Sequence, residues 1–498
     1  MTEKFDVAII GGGVVGCAIA RELSRYQLRV AVLERAADVA RGTSGKNSGV
    51  VHTGINVPTG SRKAALNVAG ARIFEDYCKD LDVPFNRVGK VIVALEENQT
   101  PDLESMMARG KANGVPDLEI IDSATLKRME PNISGVAALN VPTAAIACPY
   151  SLNIALAESS AEAGVEIILN SPVTAIDGDE GDFQITTPNG TVNAALIVNS
   201  AGLFSDKIAR MVGITRWRIW PCRGEYVILD KRVGGLINSM VYPPTPKGGA
   251  GLGVHITPTT GGNILLGPSA DYTNDADDVR TTPKIRRQLL SEAAEFVPGL
   301  SPRDVITAYS GMRPKLVPAK VGGFGDFVIE EVSEQPGMMN LVGIESPGLT
   351  ASPAVALEIS EWVRERIPAK ANDSFKQSWT AVDSVRDESP EKIDELIAED
   401  AAYGEIICRC EMVTRKEIID SINNPLEATS LNAIKYRSRA TMGRCQGGFC
   451  GPRVVDLLIE NGHSPESLTL TGGDSWLFLG SVEDLRNGRI PETAEAGN

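Results

Sequence analysis

Cysteine and histidine are where redox and proton chemistry would sit, and this chain groups four of its eight cysteines. Cys408 and Cys410 form a Cys-x-Cys pair. After 34 further residues come Cys445 and Cys450, within Cys-Gln-Gly-Gly-Phe-Cys-Gly. Four thiolates can hold a [2Fe-2S] cluster or a zinc ion. Structural zinc favours pairs with about two to four residues between them. The glycines around Cys445 and Cys450 let backbone N–H groups approach sulfide. A [2Fe-2S] cluster is therefore the first expectation, with zinc and an empty thiol set as alternatives. The remaining four, Cys17, Cys78, Cys148 and Cys222, are scattered, as small buried apolar residues are. Eight cysteines in 498 residues do not make a disulfide framework.

The three histidines are His52, His255 and His463. Oxidising a carbinol requires a hydride acceptor and a base for the hydroxyl proton, and histidine is the natural base near neutral pH. His52 lies in a small, polar, glycine-rich segment, Arg41 to Gly54. His255 lies in Gly253-Val254-His255-Ile256-Thr257, a predicted strand. His463 follows the cysteine cluster and is expected on the surface. Arg313, in Ser-Gly-Met-Arg-Pro, offers a guanidinium fork that binds phosphate or carboxylate bidentately and keeps its charge.

These groups need elements to hold them. Phe5 to Ile10 is an apolar run of β-formers and predicts a buried strand. Gly11-Gly12-Gly13-Val14-Val15-Gly16 follows, then a predicted helix from Val14 to about Tyr26 and a strand from Arg29 to Leu33 ending at Glu34. This is a dinucleotide fingerprint in its proper setting. Gly11 allows the tight turn, Gly13 lets a pyrophosphate near the backbone, and Gly16 lets helix and strand pack closely. The pyrophosphate belongs at the helix N-terminus, and Glu34 stands where an acid accepts from the ribose. Further on, Ile197 to Asp206 predicts a strand ending in a small-residue turn. Asn340 to Ile344 predicts another strand, followed by Glu345 to Thr350 and a helix from about Ser352 to Arg366.

The Gly45-Lys-Asn-Ser-Gly-Val-Val-His-Thr-Gly54 segment, the Ala201-Gly-Leu-Phe-Ser-Asp206 turn and the Ser346-Pro-Gly-Leu-Thr350 turn together resemble the D-amino-acid-oxidase superfamily. More narrowly they resemble its FAD-dependent glycerol-3-phosphate dehydrogenase and L-2-hydroxyglutarate oxidase branch. The resemblance implies FAD, held by Gly11, Gly13, Val14, Gly16, Glu34, Arg35, Thr43, Ser44, Asn47, Ser48, Gly49, Val50, Val173, Ala201, Gly202, Gly311, Arg313, Gly348, Leu349 and Thr350. It also implies that a helix N-terminus after Ser346 faces the pyrimidine end of the flavin, that His52 or His255 serves catalysis, and that Arg313 grips the substrate's anion. Cys408 to Thr414 and the Cys445–Cys450 stretch resemble the bacterioferritin-associated-ferredoxin-like domain. The same domain closes the anaerobic glycerol-3-phosphate dehydrogenases, and the resemblance implies a [2Fe-2S] cluster.

The expected fold class is α/β: a Rossmann-like FAD-binding domain interleaved with an α+β substrate domain built on an antiparallel sheet, plus a small helical iron–sulfur domain. The expected FAD domain takes residues 1–75, 196–210 and 336–368. The substrate domain takes 76–195 and 211–335, with strands at Gly224 to Leu229 and Asn263 to Leu266. A polar, acidic linker follows over 369–402, then the cluster domain over 403–456, with helices at Thr414 to Ile422 and Leu426 to Tyr436. A tail over 457–498 closes the chain; its Leu468 to Gly480 part is apolar enough to pack back on something. The net charge of −15 disfavours nucleic acid and anionic lipid as partners. No apolar run reaches the roughly 18 residues that cross a bilayer, and no basic segment precedes the first apolar stretch, so neither a transmembrane segment nor a signal peptide is expected. The expectation is a cytoplasmic FAD-dependent dehydrogenase, membrane-associated if at all through a partner. It oxidises a small anionic secondary alcohol, sn-glycerol 3-phosphate first, and hands electrons to an accepting partner protein or carrier. The alternatives are an L-2-hydroxyglutarate dehydrogenase and a non-catalytic FAD/iron–sulfur electron-transfer subunit.

Overall fold

The computed structural model describes residues 4–245, 253–480 and 482–487. The chain forms two compact units that part between Trp379 and Thr380, the second also taking in Ala36–Asp38.

The first unit is built on two sheets. Phe5–Ile10 sits centrally in an eight-stranded sheet, between Gly190–Asn199 and Val30–Leu33, and pairs with both in parallel. A strand flanked on both edges and covered on both faces must be apolar throughout, and Val7 to Ile10 are buried. Met338–Val342 joins the far edge of Gly190–Asn199 in parallel. The expected first insertion, 76–195, is thereby divided: Glu166–Ile168, Ala175–Asp177 and Phe183–Thr187 all belong to this nucleotide-type sheet. The reason is a shared core, because Ile176, Phe183 and Ile185 pack on Ala8, Ile10 and Ala31. Val328–Glu331, expected in the second insertion, also joins it.

The second sheet has nine strands. Trp220–Leu229 and Val305–Lys315 run antiparallel over almost their whole length. Ile264–Gly267, His255–Pro258 and Met240–Tyr242 continue the sheet. It is not purely antiparallel, since Met240–Tyr242 pairs in parallel with Lys90–Ala94. Arg62–Asp80 and Gly348–Arg366 are the two long helices of this unit. They meet where Gly70 has no side chain: a Cβ there would lie 2.0 Å from the Thr350 carbonyl. Gly348–Arg366 begins four residues earlier than the expected Ser352. Pro353 lies inside it and provides no N–H for the Leu349 carbonyl, which instead accepts from the Ser352 hydroxyl at 2.9 Å.

The first helix ends at Leu23, short of the expected Tyr26, because the chain turns to meet residues 370–372. Gln27 N–H donates to the Lys370 carbonyl and Asn372 N–H to the Arg25 carbonyl. Arg21 and Arg25 stack on Phe375. The start of the expected linker is therefore packed onto the first unit.

In the second unit, Pro390–Glu399 carries Leu396 against Val385 and Tyr403. The strands Ile406–Cys408 and Val413–Thr414 pair, and three helices follow: Arg415–Ile422, Leu431–Ser438 and Gly451–Glu460. Thr414 and Glu417 form a reciprocal capping box. The expected helix from Leu426 starts only at Leu431. Asn424 captures the Leu426 and Ala428 amides and the Ala428 carbonyl, a side-chain alternative to helical bonding. The apolar tail packs on this helix: Leu431 and Asn432 N–H groups donate to the Thr469 and Leu470 carbonyls, and Leu468 enters the core. Among the described residues no helix is long and apolar enough to cross a membrane.

A Cβ on residue 16 would lie 2.1 Å from the Gly11 carbonyl and 2.7 Å from Ser200 Oγ. Gly16→Val must push the helix off the sheet. It is expected to cost at least about 1–3 kcal/mol and to lower the flavin-to-protein ratio. Gly235→Ala, with nothing within 4 Å of its Cβ, is the control. Thermal unfolding and flavin absorbance check both.

Candidate functional site

The glycine turn opens the Val14–Leu23 helix with Gly13 extended at its N-cap and no side-chain cap. Gly11 adopts φ 111°, a conformation that strains any L side chain, and its missing Cβ leaves room for the Ser200 carbonyl. Gly12 N–H donates to Glu34 Oε2 at 2.7 Å, which holds the acid over the turn. Val14 N–H donates to Ser44 Oγ at 2.8 Å. Turn, helix N-terminus and acid thus stand together as a dinucleotide requires. Arg35 stacks on Phe204, next to the Ala201–Gly202 turn. Val173 packs on the core cluster that contains Leu33, the neighbour of Glu34.

The Thr43–His52 segment runs onward from this turn. The Asn47 amide donates to the Thr43 and Ser44 carbonyls and accepts from Gly49 N–H, which shapes a tight loop. Two glycines let other backbone come close: a Cβ on Gly49 would lie 2.3 Å from the Ala147 carbonyl, and one on Gly311 would lie 1.9 Å from that of Lys46. Thr43 Oγ1 donates to the Met312 carbonyl and Tyr309 OH to that of Asn47. The long loop is therefore clamped to the second sheet beside Arg313. Ser48 lies in the loop, and Val50 opens the short strand Val50–Val51.

His52 follows that strand. Its N–H donates to Thr350 Oγ1 at 2.9 Å, and its Nε2 lies 3.3 Å from Ser346 Oγ. The Gly348–Leu349–Thr350 helix start and the histidine loop are thus one structure. Desolvation, with Lys90 second, pushes the half-buried imidazole down to about 3. His255 differs. It is buried on the second sheet and stacks flat on Tyr242, with ring centres 3.9 Å apart. Burial first, then Lys90, His52 and Arg313, holds it well below the ordinary histidine value. Lys90 lies under the other side of this group, 4.3 Å from the Tyr242 ring, and burial lowers it to about 7. Lys90, His52 and Arg313 thus all act electrostatically on His255. His463 is far along the chain, in a turn after Gly451–Glu460.

Arg313 Nη2 donates to the Ser269 carbonyl at 2.6 Å and Nη1 approaches Cys222 Sγ at 3.4 Å. Gly224 makes room for this guanidinium. Part of the fork expected to face a substrate anion is thus directed into the sheet.

The sequence missed a buried charge cluster. Lys63 Nζ lies 3.3 Å and Lys315 Nζ 3.2 Å from the two oxygens of Glu345, and all three side chains are at most 1% exposed. An open pocket adjoins it, lined by His52, Asn56, Lys63, Asn67, Phe324 and Ser346 among others. The Lys63 to Asn67 spacing of four residues on a helix was the one available sign.

In the second unit the four cysteines meet as two pairs, Cys408 with Cys450 and Cys410 with Cys445. Among the described residues no three metal-binding side chains converge on one point. The surrounding backbone fits a cluster cage. The Phe449 and Gly447 amides point to Cys445, and those of Thr441 and Glu411 to Cys408. Met412, Arg439, Thr441 and Gln446 adopt positive φ of 56°, 66°, 71° and 49°, left-handed turns in the segments next to the cysteines. A Cβ on Gly443 would lie 2.2 Å from Cys410 Cβ.

Residues 6–362 match the FAD dependent oxidoreductase family, and residues 406–460 the BFD-like [2Fe-2S] binding domain. A glycerol 3-phosphate dehydrogenase of Caloramator mitchellensis is 39% identical over 459 residues, covering 91% of this chain and 94% of that protein. The mitochondrial L-2-hydroxyglutarate dehydrogenase of Arabidopsis thaliana is 32% identical over 406 residues, covering 72% of this chain and 83% of that protein. Among solved structures, the FAD-bound L-α-glycerophosphate oxidase of Mycoplasma pneumoniae superposes with a TM-score of 0.70 at 29% identity, covering 76% of this chain and 99% of that one. The cofactors are FAD and a [2Fe-2S] cluster. With its glycine turn, histidine loop and cysteine cage in these settings, the chain belongs to the FAD-dependent oxidoreductase family and carries a BFD-like [2Fe-2S] binding domain near its C-terminal end.

Proposed function

We propose that this chain is an FAD-dependent dehydrogenase of a small anionic secondary alcohol, sn-glycerol 3-phosphate first, which sends electrons through the cluster to an external acceptor. The observation that carries the reading is His52: a half-buried histidine fixed by Thr350, opening onto a pocket that contains a lysine, with its pKa lowered by desolvation first and Lys90 second. A neutral imidazole can take the carbinol proton on Nε2, where Ser346 Oγ orients it. Bound FAD supplies the hydride acceptor, and the cluster one-electron carriage to the partner.

The residues proposed to hold FAD are those of the glycine turn, Glu34, the Thr43–Val50 loop and the Gly348–Thr350 helix start. Backbone donors at that helix start favour negative charge on a reduced flavin. His255 is not the proposed base, since stacking on Tyr242 and deep burial leave it poorly placed to move a proton. Arg313 contacts the substrate from the sheet side. The cytoplasm is the proposed compartment, consistent with thiols that form no disulfide among the described residues. Glycerol 3-phosphate ranks first because the Caloramator relative extends over 91% of this chain, whereas the Arabidopsis one covers 72%. L-2-hydroxyglutarate is the second reading.

Anaerobic addition of sn-glycerol 3-phosphate to the holoprotein is expected to bleach the flavin absorbance, faster than L-2-hydroxyglutarate does. His52→Asn should slow bleaching by about 10²–10⁴-fold. Bleaching by neither compound, or an unaffected His52→Asn, removes this substrate reading.

Half-buried His52 and buried His255 both have folded pKa values below their unfolded value of about 6.5. The unfolded chain therefore binds more protons below that pH. Their contribution to stability is complete above about pH 6.5 and is lost as pH falls toward 3. The thermal midpoint should drop between pH 7 and pH 5, and less steeply in His255→Gln. Equal slopes in the two proteins would contradict this.

Anaerobically prepared protein should contain iron and acid-labile sulfide and give an EPR signal on reduction. Cys445→Ser should lose that signal. Stoichiometric zinc without iron would make the C-terminal unit structural and end the electron-exit role.

A further inference from the structure

The Lys63–Glu345–Lys315 cluster is short of one negative charge. Two ammonium groups face one carboxylate, and all three side chains are at most 1% exposed, with Lys63 at the edge of the pocket. Lys315 also donates to the Gly323 carbonyl, and the aromatic faces of Phe324 and Phe327 flank the lysines. Such contacts ease a buried cation but do not neutralise it. The exposed Asp326 lies at the edge of the cluster: its oxygens accept from the Arg62 and Lys63 amides at the helix start, and its charge, after that of Glu345, favours the Lys63 ammonium against the burial that lowers its pKa.

One turn along the same helix, Asn67 is 0% exposed, and neither its amide oxygen nor its nitrogen has a hydrogen-bond partner among the described residues. Buried amides are nearly always satisfied, so an orphan of this kind signals a missing ligand. Asn67 and Lys63 line the same pocket, which opens to His52. Asn56 lines it too, with its Nδ2 bound to Thr245 and its Oδ1 unpartnered. A cation in excess, an unsatisfied amide donor and the proposed base thus face one open space in a chain whose net charge of −15 repels anions elsewhere.

We propose that this pocket is an anion subsite, in which Lys63 and the Asn67 amide take the phosphate or carboxylate at the end of the substrate remote from its carbinol. The proposal rests on the reading of the substrate as a small anionic secondary alcohol. The two candidate substrates share this remote anion. Glycerol 3-phosphate carries it one CH₂–O link beyond the carbinol carbon, and 2-hydroxyglutarate two CH₂ groups beyond. They differ on the other side, where one has a hydroxymethyl group and the other a carboxylate. With the remote anion at Lys63, that differing group turns toward Arg313. The pocket supplies affinity common to both, and the Arg313 side distinguishes them.

The test uses the FAD-loaded full chain and two inert probes, inorganic phosphate and glutarate, titrated by calorimetry and by perturbation of the flavin spectrum. Saturable binding is expected in the unmodified protein, and the tighter probe names the anion class. Asn67→Ala and Lys63→Gln should each weaken both probes at least tenfold and raise KM for glycerol 3-phosphate by a similar factor. The slow bleaching by glycerol, which has the carbinol without the phosphate, should change far less. If Lys63→Gln fails to fold, Asn67→Ala decides alone, because it leaves the three charges in place. Absence of saturable probe binding to the unmodified protein overturns the subsite. So does unchanged binding in a folded, FAD-loaded Asn67→Ala. If no substrate bleaches the flavin but the probes bind and the variants weaken them, the substrate reading fails and the subsite stands.

Discussion

Glu345 ties three parts of the first unit together through charge. It lies just beyond the Met338–Val342 strand of the parallel sheet, and its two oxygens meet Lys63 from the Arg62–Asp80 helix and Lys315 from the end of a strand of the other sheet. Charges taken this far from water are stable only when paired, and removing one partner typically costs about 3–5 kcal/mol. The carboxylate therefore acts as a register pin. It sets the Ser346–Pro347–Gly348 turn against the Arg62–Asp80 helix, and that turn positions Ser346 beside His52 and starts the helix whose Thr350 holds the His52 amide. Glu345 acts on the proposed base only through these neighbours.

How much of this could be read from the sequence depends on the range of the interaction. The Gly11–Gly16 turn, its flanking strands and Glu34 were legible because the constraint is local: glycine is needed where backbone must pass within touching distance, and the pattern lies within 34 residues. The Cys408–Cys450 cage was legible for a similar reason, since thiols are rare and chemically specific. Lys63, Lys315 and Lys90 were not. A lysine looks like a surface residue until its partner is known, and the Lys63–Glu345 pair spans 282 positions. The membership of Glu166–Ile168 and Phe183–Thr187 in the nucleotide-type sheet was missed because short apolar runs fit either sheet equally well. The pairing of Glu166–Ile168 with Val30–Leu33 and of Phe183–Thr187 with Gly190–Asn199, and the packing of Phe183 and Ile185 on Ala8 and Ala31, settle it.

The two histidines show why residue type alone could not rank them. Both have a depressed pKa from the same first cause, burial. A neutral imidazole is useful only if a substrate can reach it. His52 borders a pocket and has a hydroxyl at Nε2, whereas His255 lies flat against Tyr242 with Nδ1 unpartnered among the described residues. Their electrostatics are alike, and their access differs.

Charge is distributed to match. A surface with 64 acidic and 49 basic residues repels small anions at long range. Attraction has to come from fixed positive groups in a poorly hydrated space, where water and salt screen little. Lys63 and Lys315 lie in such a space, packed against Phe324 and Phe327, with Glu345 offsetting part of their charge and Asp326 acting on Lys63 as well. A second carboxylate in the cluster would have neutralised it and left the pocket without pull. With none, two buried ammonium groups would have repelled each other, and burial would have favoured their neutral forms. One carboxylate between two lysines offsets their mutual repulsion and holds the three segments together.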